Sequence, residues 1–205
     1  MNIREIHLET HCLEELKEFY TGVLGFPLIS GRKNAFTIET GKSRVTFLRT
    51  RTDVEPFYHF AFNIPENQIE EAARWVQERT PLISRNEQTI FHIERWNSHA
   101  IYFHDPAGNI VELIARHNLK NADSEPFSVK SIRSVSEVGV VVENVQLFSE
   151  QLQQELHISV WDKADENFAA VGDEEGMFII VLAGRPWFPT NRPAEIFPVS
   201  VDPGG

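Results

Sequence analysis

Apolar and polar positions alternate in short runs separated by helical stretches, and the order of the two recurs. Ile3 to Thr10 alternates with the two-residue period of a half-buried strand. Leu13, Leu16, Phe19, Tyr20, Val23 and Leu24 then follow helical spacing, and Gly25 is a C-terminal cap for that helix. Three strand-like stretches come next, FPLIS, NAFTIET and SRVTFLRT, broken by Gly31 and Gly41. The pattern restarts at FYHFAFNI. Its helix carries Ile69, Ala72, Ala73 and Val76 on one face, with Glu66, Glu70 and Glu71 near the N-terminal end, where the helix dipole favours them. The tetrapeptide PLIS recurs at the same point, 27–30 and then 81–84, and QTIFHIER, HAIYFHD and NIVELIA complete a second βαβββ unit.

A third, fainter copy is present. SEVGVVVENVQLFSEQLQQELHISVW aligns without a gap to REIHLETHCLEELKEFYTGVLGFPLI, which puts Gly139 where His7 stands. The polar stretch before it reads as a linker. The expected organisation is α+β: residues 1–117 as two units paired into a cupped barrel, 118–131 as linker, and 132–205 as a third unit.

Three ionisable side chains interrupt the apolar strands: His7, His59 and Glu112. Strand periodicity puts His59 on one face with Phe57 and Ala61, and Glu112 with Ile110 and Ile114. A lone strand histidine is more often a hydrogen-bonded core residue than a ligand. A carboxylate between Val111 and Leu113 is more telling, because a buried unpaired carboxylate is costly and is usually paired or metal-bound. Two imidazoles and a carboxylate form the protein half of a facial divalent-metal site. The turn formers of DPAGN set the next hairpin. With Ala107 near its tip, Tyr102 lies opposite Glu112 on the same face, as a packing residue or as a hydrogen-bond donor and general acid.

Composition removes several alternatives. At 205 residues the chain is one large domain or two small ones, and 41% hydrophobic residues is ordinary for a globular protein. A net charge of -11 repels nucleic-acid phosphates. No apolar run is long enough to span a membrane, and no phosphate loop, dinucleotide fingerprint or zinc-type cysteine pair is present. Cys12, the one cysteine, allows no internal disulfide, so a reducing cytoplasm is the default location. Cys12 opens a helix, where a thiolate would be stabilised, although such a cysteine more often packs. The segment GRPWFPTNRP reads as an ordered loop covering Trp187 and Phe188, with a cavity lid as the alternative.

The first two units resemble the vicinal oxygen chelate superfamily. That superfamily includes glyoxalase I, fosfomycin-resistance thiol transferases, extradiol dioxygenases and the metal-free bleomycin-resistance proteins. The most specific piece is IYFHDPAGNIVEL. The resemblance implies a barrel holding one divalent ion (iron, manganese, zinc or nickel), with His7, His59 and Glu112 as ligands and Tyr102 beside the substrate. It covers 1–117 well and 132–202 weakly.

The branches differ in detail. Glyoxalase I uses a fourth ligand, a glutamate, and its place here falls at Val45 or Thr46. The fosfomycin enzymes have threonine where this chain has Glu9, a carboxylate that would repel a phosphonate, and Arg95 and Lys120 are loose substitutes for their basic contacts. The dioxygenases place histidines near the substrate. His92 is one residue off their spacing, His99 is too close, and Arg44 stands nearest the position of the other. The expectation is a metal-dependent enzyme on a small substrate chelated through neighbouring oxygens, with ring cleavage favoured over thiol transfer or a glyoxalase-like lyase reaction. The alternative is a non-catalytic small-molecule binding or resistance protein. The strand SEVGVVV is apolar on both faces and needs cover on both, so a homodimer through the third unit is expected, with the third unit folding back onto its own chain's first barrel as the rival.

Overall fold

The computed structural model describes every residue except Lys163 and Gly205. The first unit comprises β1 (Asn2–Thr10), α1 (Leu13–Lys17, continued by a π-helical turn over Glu18–Val23), β2 (Leu28–Arg32), β3 (Ala35–Thr40) and β4 (Ser43–Arg49). Its strand order is β2-β3-β4-β1. Gly31 lies inside β2 rather than breaking it. The second unit comprises β5 (His59–Ile64), α2 (Ile69–Gln77), β6 (Phe91–Ile93), β7 (Ser98–His104) and β8 (Ile110–Arg116), in the matching order β6-β7-β8-β5. The second PLIS forms only a bridge, Leu82 to Phe103, instead of a strand.

The third unit has β9 (Ser134–Val142), α3 (Val145–Leu156), β10 (Phe168–Asp173) and β11 (Gly176–Leu182). A bridge from Val160 to Val171 marks its outermost strand. A last strand, β12 (Val199–Gly204), returns to pair antiparallel with β1. The mixed sheet with helices on one side is the expected α+β arrangement of βαβββ units.

The pairing of units differs from the expectation. β5 runs antiparallel to β9 over Phe60 to Asn63, and β9 pairs with β11 along its other edge. β1 meets β9 at one pair only, Ile3 with Val135. The barrel is therefore made by the second and third units, and the first unit is the one left over. Polarity explains the choice. β1 turns Glu5, His7 and Glu9 to one face, all half-exposed, so leaving that face uncovered costs little. β9 is buried on both faces from Ser134 to Gly139 and would expose apolar surface if unpaired. The surface that argued for a homodimer through the third unit is already covered within the chain. The free edge of β1, which would otherwise invite another strand, is closed by β12.

Two apolar clusters lie on opposite faces of the sheet. Phe60, Phe62, Val111, Leu113, Ile101 and Phe103 face the helices. Each fully buried phenylalanine contributes about 2 kcal/mol. Their alternate neighbours, among them Ala61, Ala100, Tyr102, Ile110, Ile114 and Ile179, face the barrel interior. The DPAGN turn also ties the first unit to the second. Buried Asp105 accepts from the Tyr20 hydroxyl at 2.8 Å, from the backbone N–H of Ala107 and Asn109, and from the Asn109 amide.

Candidate metal centre

The register places the site in one row across the sheet. Tyr102 on β7 lies opposite Glu112 on β8, Glu112 opposite Ala61 on β5, and Ala61 opposite Glu137 on β9. Neighbouring strands are about 4.8 Å apart. The two glutamates can therefore lean toward each other over Ala61, whose methyl group leaves the space open. His59, two residues before Ala61, points from the same face.

His59, Glu112 and Glu137 each offer a ligand atom, and these atoms lie within 4.8 Å of one another. His59 Nε2 is 3.5 Å from Glu112 Oε2 and 3.7 Å from Glu137 Oε2. The Nδ1 of the same ring is 3.1 Å from the Ile110 carbonyl. A carbonyl only accepts, so Nδ1 carries the proton, and in the neutral ring the Nε2 lone pair faces the carboxylates. All three side chains are buried, and Glu112 Oε1 has no hydrogen-bond partner.

Metal–ligand bonds of ~2.1 Å at ordinary angles put ligand atoms ~3.0–3.5 Å apart. The His59–Glu112 separation falls in that range and the His59–Glu137 one lies about 0.2 Å beyond it, so small side-chain shifts, with the orphaned Glu112 oxygen, would accommodate a divalent cation. β11 turns Met177, Ile179 and Val181 to the interior, so it adds no carboxylate or imidazole to the group.

One guanidinium offsets part of the negative charge of the group. Arg116, fully buried on the same face of β8, donates from Nη2 to Glu137 Oε1 and from Nε to the Ser136 hydroxyl. Burial, reinforced by Glu137, raises the Glu112 carboxyl well above the usual range, while Arg116 opposes the shift. Burial and then the Glu112 and Glu137 charges push the Tyr102 phenol up, so it stays a neutral donor.

His7 is not in this group. It pairs in register with Thr46 and Ser200, is half-exposed, and lies 3.5 Å from Glu5. Ile3 and Phe62 both pair with Val135, on strands that run the same way. His7 lies four residues beyond that crossing and His59 three before it, which separates them by roughly 20 Å of strand. Val45, Thr46 and Arg44 lie on β4, beside β1 and away from the barrel.

Glu137 takes the place expected of His7. It aligns with Glu5, two residues before Gly139, and it was legible by the criterion that singled out Glu112: a lone carboxylate in a strand apolar on both faces. A Cβ on Gly139 would lie 2.7 Å from a ring carbon of Trp187, so the indole fills the place a side chain there would need.

A cavity of about 340 Å³ opens above the row. The three candidate ligands and Tyr102 line it, together with His92, Trp187, Phe188 and Arg185. The GRPWFPTNRP segment roofs this cavity. The Trp187 ring is 5.1 Å from that of His59, and Phe188 packs edge-on against Tyr102 at 5.7 Å. His92 stacks on His99 at 4.6 Å, and His99 Nδ1 is 2.8 Å from His117 Nε2. Burial and the two neighbouring imidazoles lower the His99 pKa. Arg95 is paired with Asp162, and Cys12 packs partly buried beside Thr10.

No protein-family model matches the sequence, and a comparison with curated proteins found no match. Solved structures are similar in fold. A candidate dioxygenase of Bacillus subtilis superposes with a TM-score of 0.63 at 16% identity, covering 88% of this chain and 63% of that one. Glyoxalase I from Zea mays superposes with a TM-score of 0.57 at 16% identity, covering 88% of this chain and 66% of that one. The chain thus spans just under two thirds of either structure. At this identity the likeness shows the fold alone. No helix among the described residues is long and apolar enough to cross a membrane.

Proposed function

We propose that this chain is a metal-dependent enzyme of the vicinal oxygen chelate superfamily, with His59, Glu112 and Glu137 as its ligands. The observation that supports this most is the convergence of three buried donors beside a carboxylate oxygen left without a partner. One imidazole and two carboxylates are harder than the expected two-histidine set. Among iron, manganese, zinc and nickel they favour manganese or ferrous iron. A divalent ion held there would act as a Lewis acid on two neighbouring oxygens of a small substrate.

The chain's own groups complete the chemistry. Tyr102, neutral and beside Glu112, donates a hydrogen bond to a substrate oxygen. His92, on the cavity wall, takes a proton. The Trp187–Phe188 roof excludes water. Aromatic walls and an imidazole at the wall favour ring cleavage.

A second reading rests on Arg116. It already neutralises Glu137, and a protonated Glu112 would leave the site uncharged without metal. That arrangement suits a protein that binds a small molecule and does not turn it over.

Manganese titration by calorimetry separates the two readings. Under the first, wild type binds one equivalent. Glu112→Gln and Glu137→Gln each lose at least tenfold in affinity, and His7→Ala loses none. Absence of binding in wild type, or equal binding in Glu137→Gln, would overturn the metalloenzyme reading. Oxygen uptake with catechols then tests ring cleavage.

A further inference from the structure

We infer that the substrate is a small planar organic anion, its acid group held by Arg185 at one end of the cavity and its reacting oxygens turned to the glutamates at the other. The orientation, though not the anion site itself, rests on the metal reading above.

Arg185 lines the same cavity as the candidate ligands. Its guanidinium makes no hydrogen bond or ion pair with a described residue. It lies 5.0 Å over the Phe168 ring, and Asp165 acts on it only through space. The side chain is half-buried, and burial lowers its pKa. A partly desolvated guanidinium with its donors free is an incomplete pair, and its planar fork matches a carboxylate in two parallel bonds.

The placement is built into the backbone. The Arg185 N–H donates to the Leu182 carbonyl at 3.1 Å, and its carbonyl accepts from Ala194 at 2.8 Å. The adjoining Pro186 and Pro193 form a bridge. Arg185 therefore stands at the root of the roofing segment, where both chain directions are tied down. The Phe168 ring beneath holds the guanidinium by cation–π attraction, worth about 0.5–2 kcal/mol.

Along the strands the cavity has two unlike ends: Phe168, under Arg185, pairs with Val181, four residues along β11 from the Met177 that pairs with Glu137, about 13 Å of strand. Glu112 and Glu137 repel an anion at the base unless a cation covers them. Arg185 attracts one at the other end. Between them the walls are flat rings, Trp187, Phe188 and Phe168 among them. A volume of about 340 Å³ is at the small end of ligand pockets (roughly 300–1,000 Å³), so the occupant is of single-ring size. A planar ring with an acid group meets all three conditions.

The test uses the full chain, with benzoate as probe and benzamide as its uncharged isostere. Binding is read by calorimetry and by tryptophan fluorescence, since Trp96 and Trp187 line the cavity. The first arm uses chelator-treated protein, in which no metal can attract benzoate to the base. Benzoate should bind at least tenfold tighter than benzamide. Arg185→Gln should lose that preference and keep its benzamide affinity, and Arg185→Lys should retain part of it. Wild type that binds neither probe, or binds both alike, overturns the inference, as does an unchanged preference in Arg185→Gln. A melting temperature checks each variant; if Arg185→Gln is unfolded, Arg185→Lys and the wild-type preference decide.

The second arm is manganese binding. Arg185→Gln should bind manganese as wild type does. Benzoate preference without manganese binding would sink the metalloenzyme reading and leave the anion site standing. Manganese binding without benzoate preference would do the reverse.

Discussion

Arg116 on β8 donates to Glu137 on β9 at 2.5 Å, a buried ion pair that crosses β5 and joins two units of the repeat. The same carboxylate turns its other oxygen to His59. Arg116 thus orients a candidate ligand from behind, as a positioning residue.

Arg116→Met should leave Glu137 buried and unpaired, at a cost of about 3–5 kcal/mol. Saturating manganese should stabilise this variant more than wild type, because the cation then supplies the missing positive charge. Urea unfolding with and without the metal measures both effects. Equal stabilisation of the two proteins would mean that Glu137 does not face the ion.

Gly139→Ala should push the Trp187 ring from its seat, since the new Cβ falls 2.7 Å from that ring and 3.0 Å from the His59 carbonyl. Overpacking of this kind costs about 1–3 kcal/mol. Tryptophan emission should shift to the red as the roof lifts. Unchanged emission with unchanged stability would show that the roof yields freely.

Asp105 should make stability fall as pH rises. Burial pushes its carboxyl up to about 6, against the pull of the Asn109, Tyr20 and Ala107 donors. In the unfolded chain it titrates near its ordinary value of 3.8. Below that value both states are protonated and the shift costs nothing. Between the two values the unfolded state ionises first, so stability drops, and above about 6 the full cost remains. The cost is about 3 kcal/mol, to order of magnitude. Asp105→Asn removes this slope, so the difference in urea stability between variant and wild type should change by that amount from pH 4 to 7. A pH-independent difference would place the native pKa near the unfolded one.

The site should be complete in a single chain. His59, Glu112, Glu137 and Arg116 all come from the second and third units, which pair in cis, and β12 closes the edge of β1. Manganese binding should persist at dilutions where sedimentation finds only the 23.5 kDa chain. Binding that appears only with a larger species would show that a second copy contributes.

Much of the site is written in local pattern. Two-residue alternation put His59 with Ala61 and Glu112 with Ile110 and Ile114, on faces the structure keeps. The DPAGN turn set the register that brings Tyr102 opposite Glu112, because a short turn leaves a hairpin little freedom to slip. The repeated strand and helix order of the three units was also visible in the sequence, although β12, expected in the third unit, pairs with β1 of the first.

Which units pair was decided only in the tertiary structure. Glu5 and Glu137 hold equivalent places in two similar strands. One ends half-exposed beside His7; the other ends buried between Arg116 and His59. The difference comes from a comparison no single strand contains. Three units offer edges to one another, and the pair that forms is the one that hides β9, whose faces are both apolar, while β1 can leave Glu5, His7 and Glu9 to water. Arg185 and Trp187, remote in sequence from the candidate ligands, join them for the same reason: the pairing of the second and third units creates the cavity over which their loop can pack.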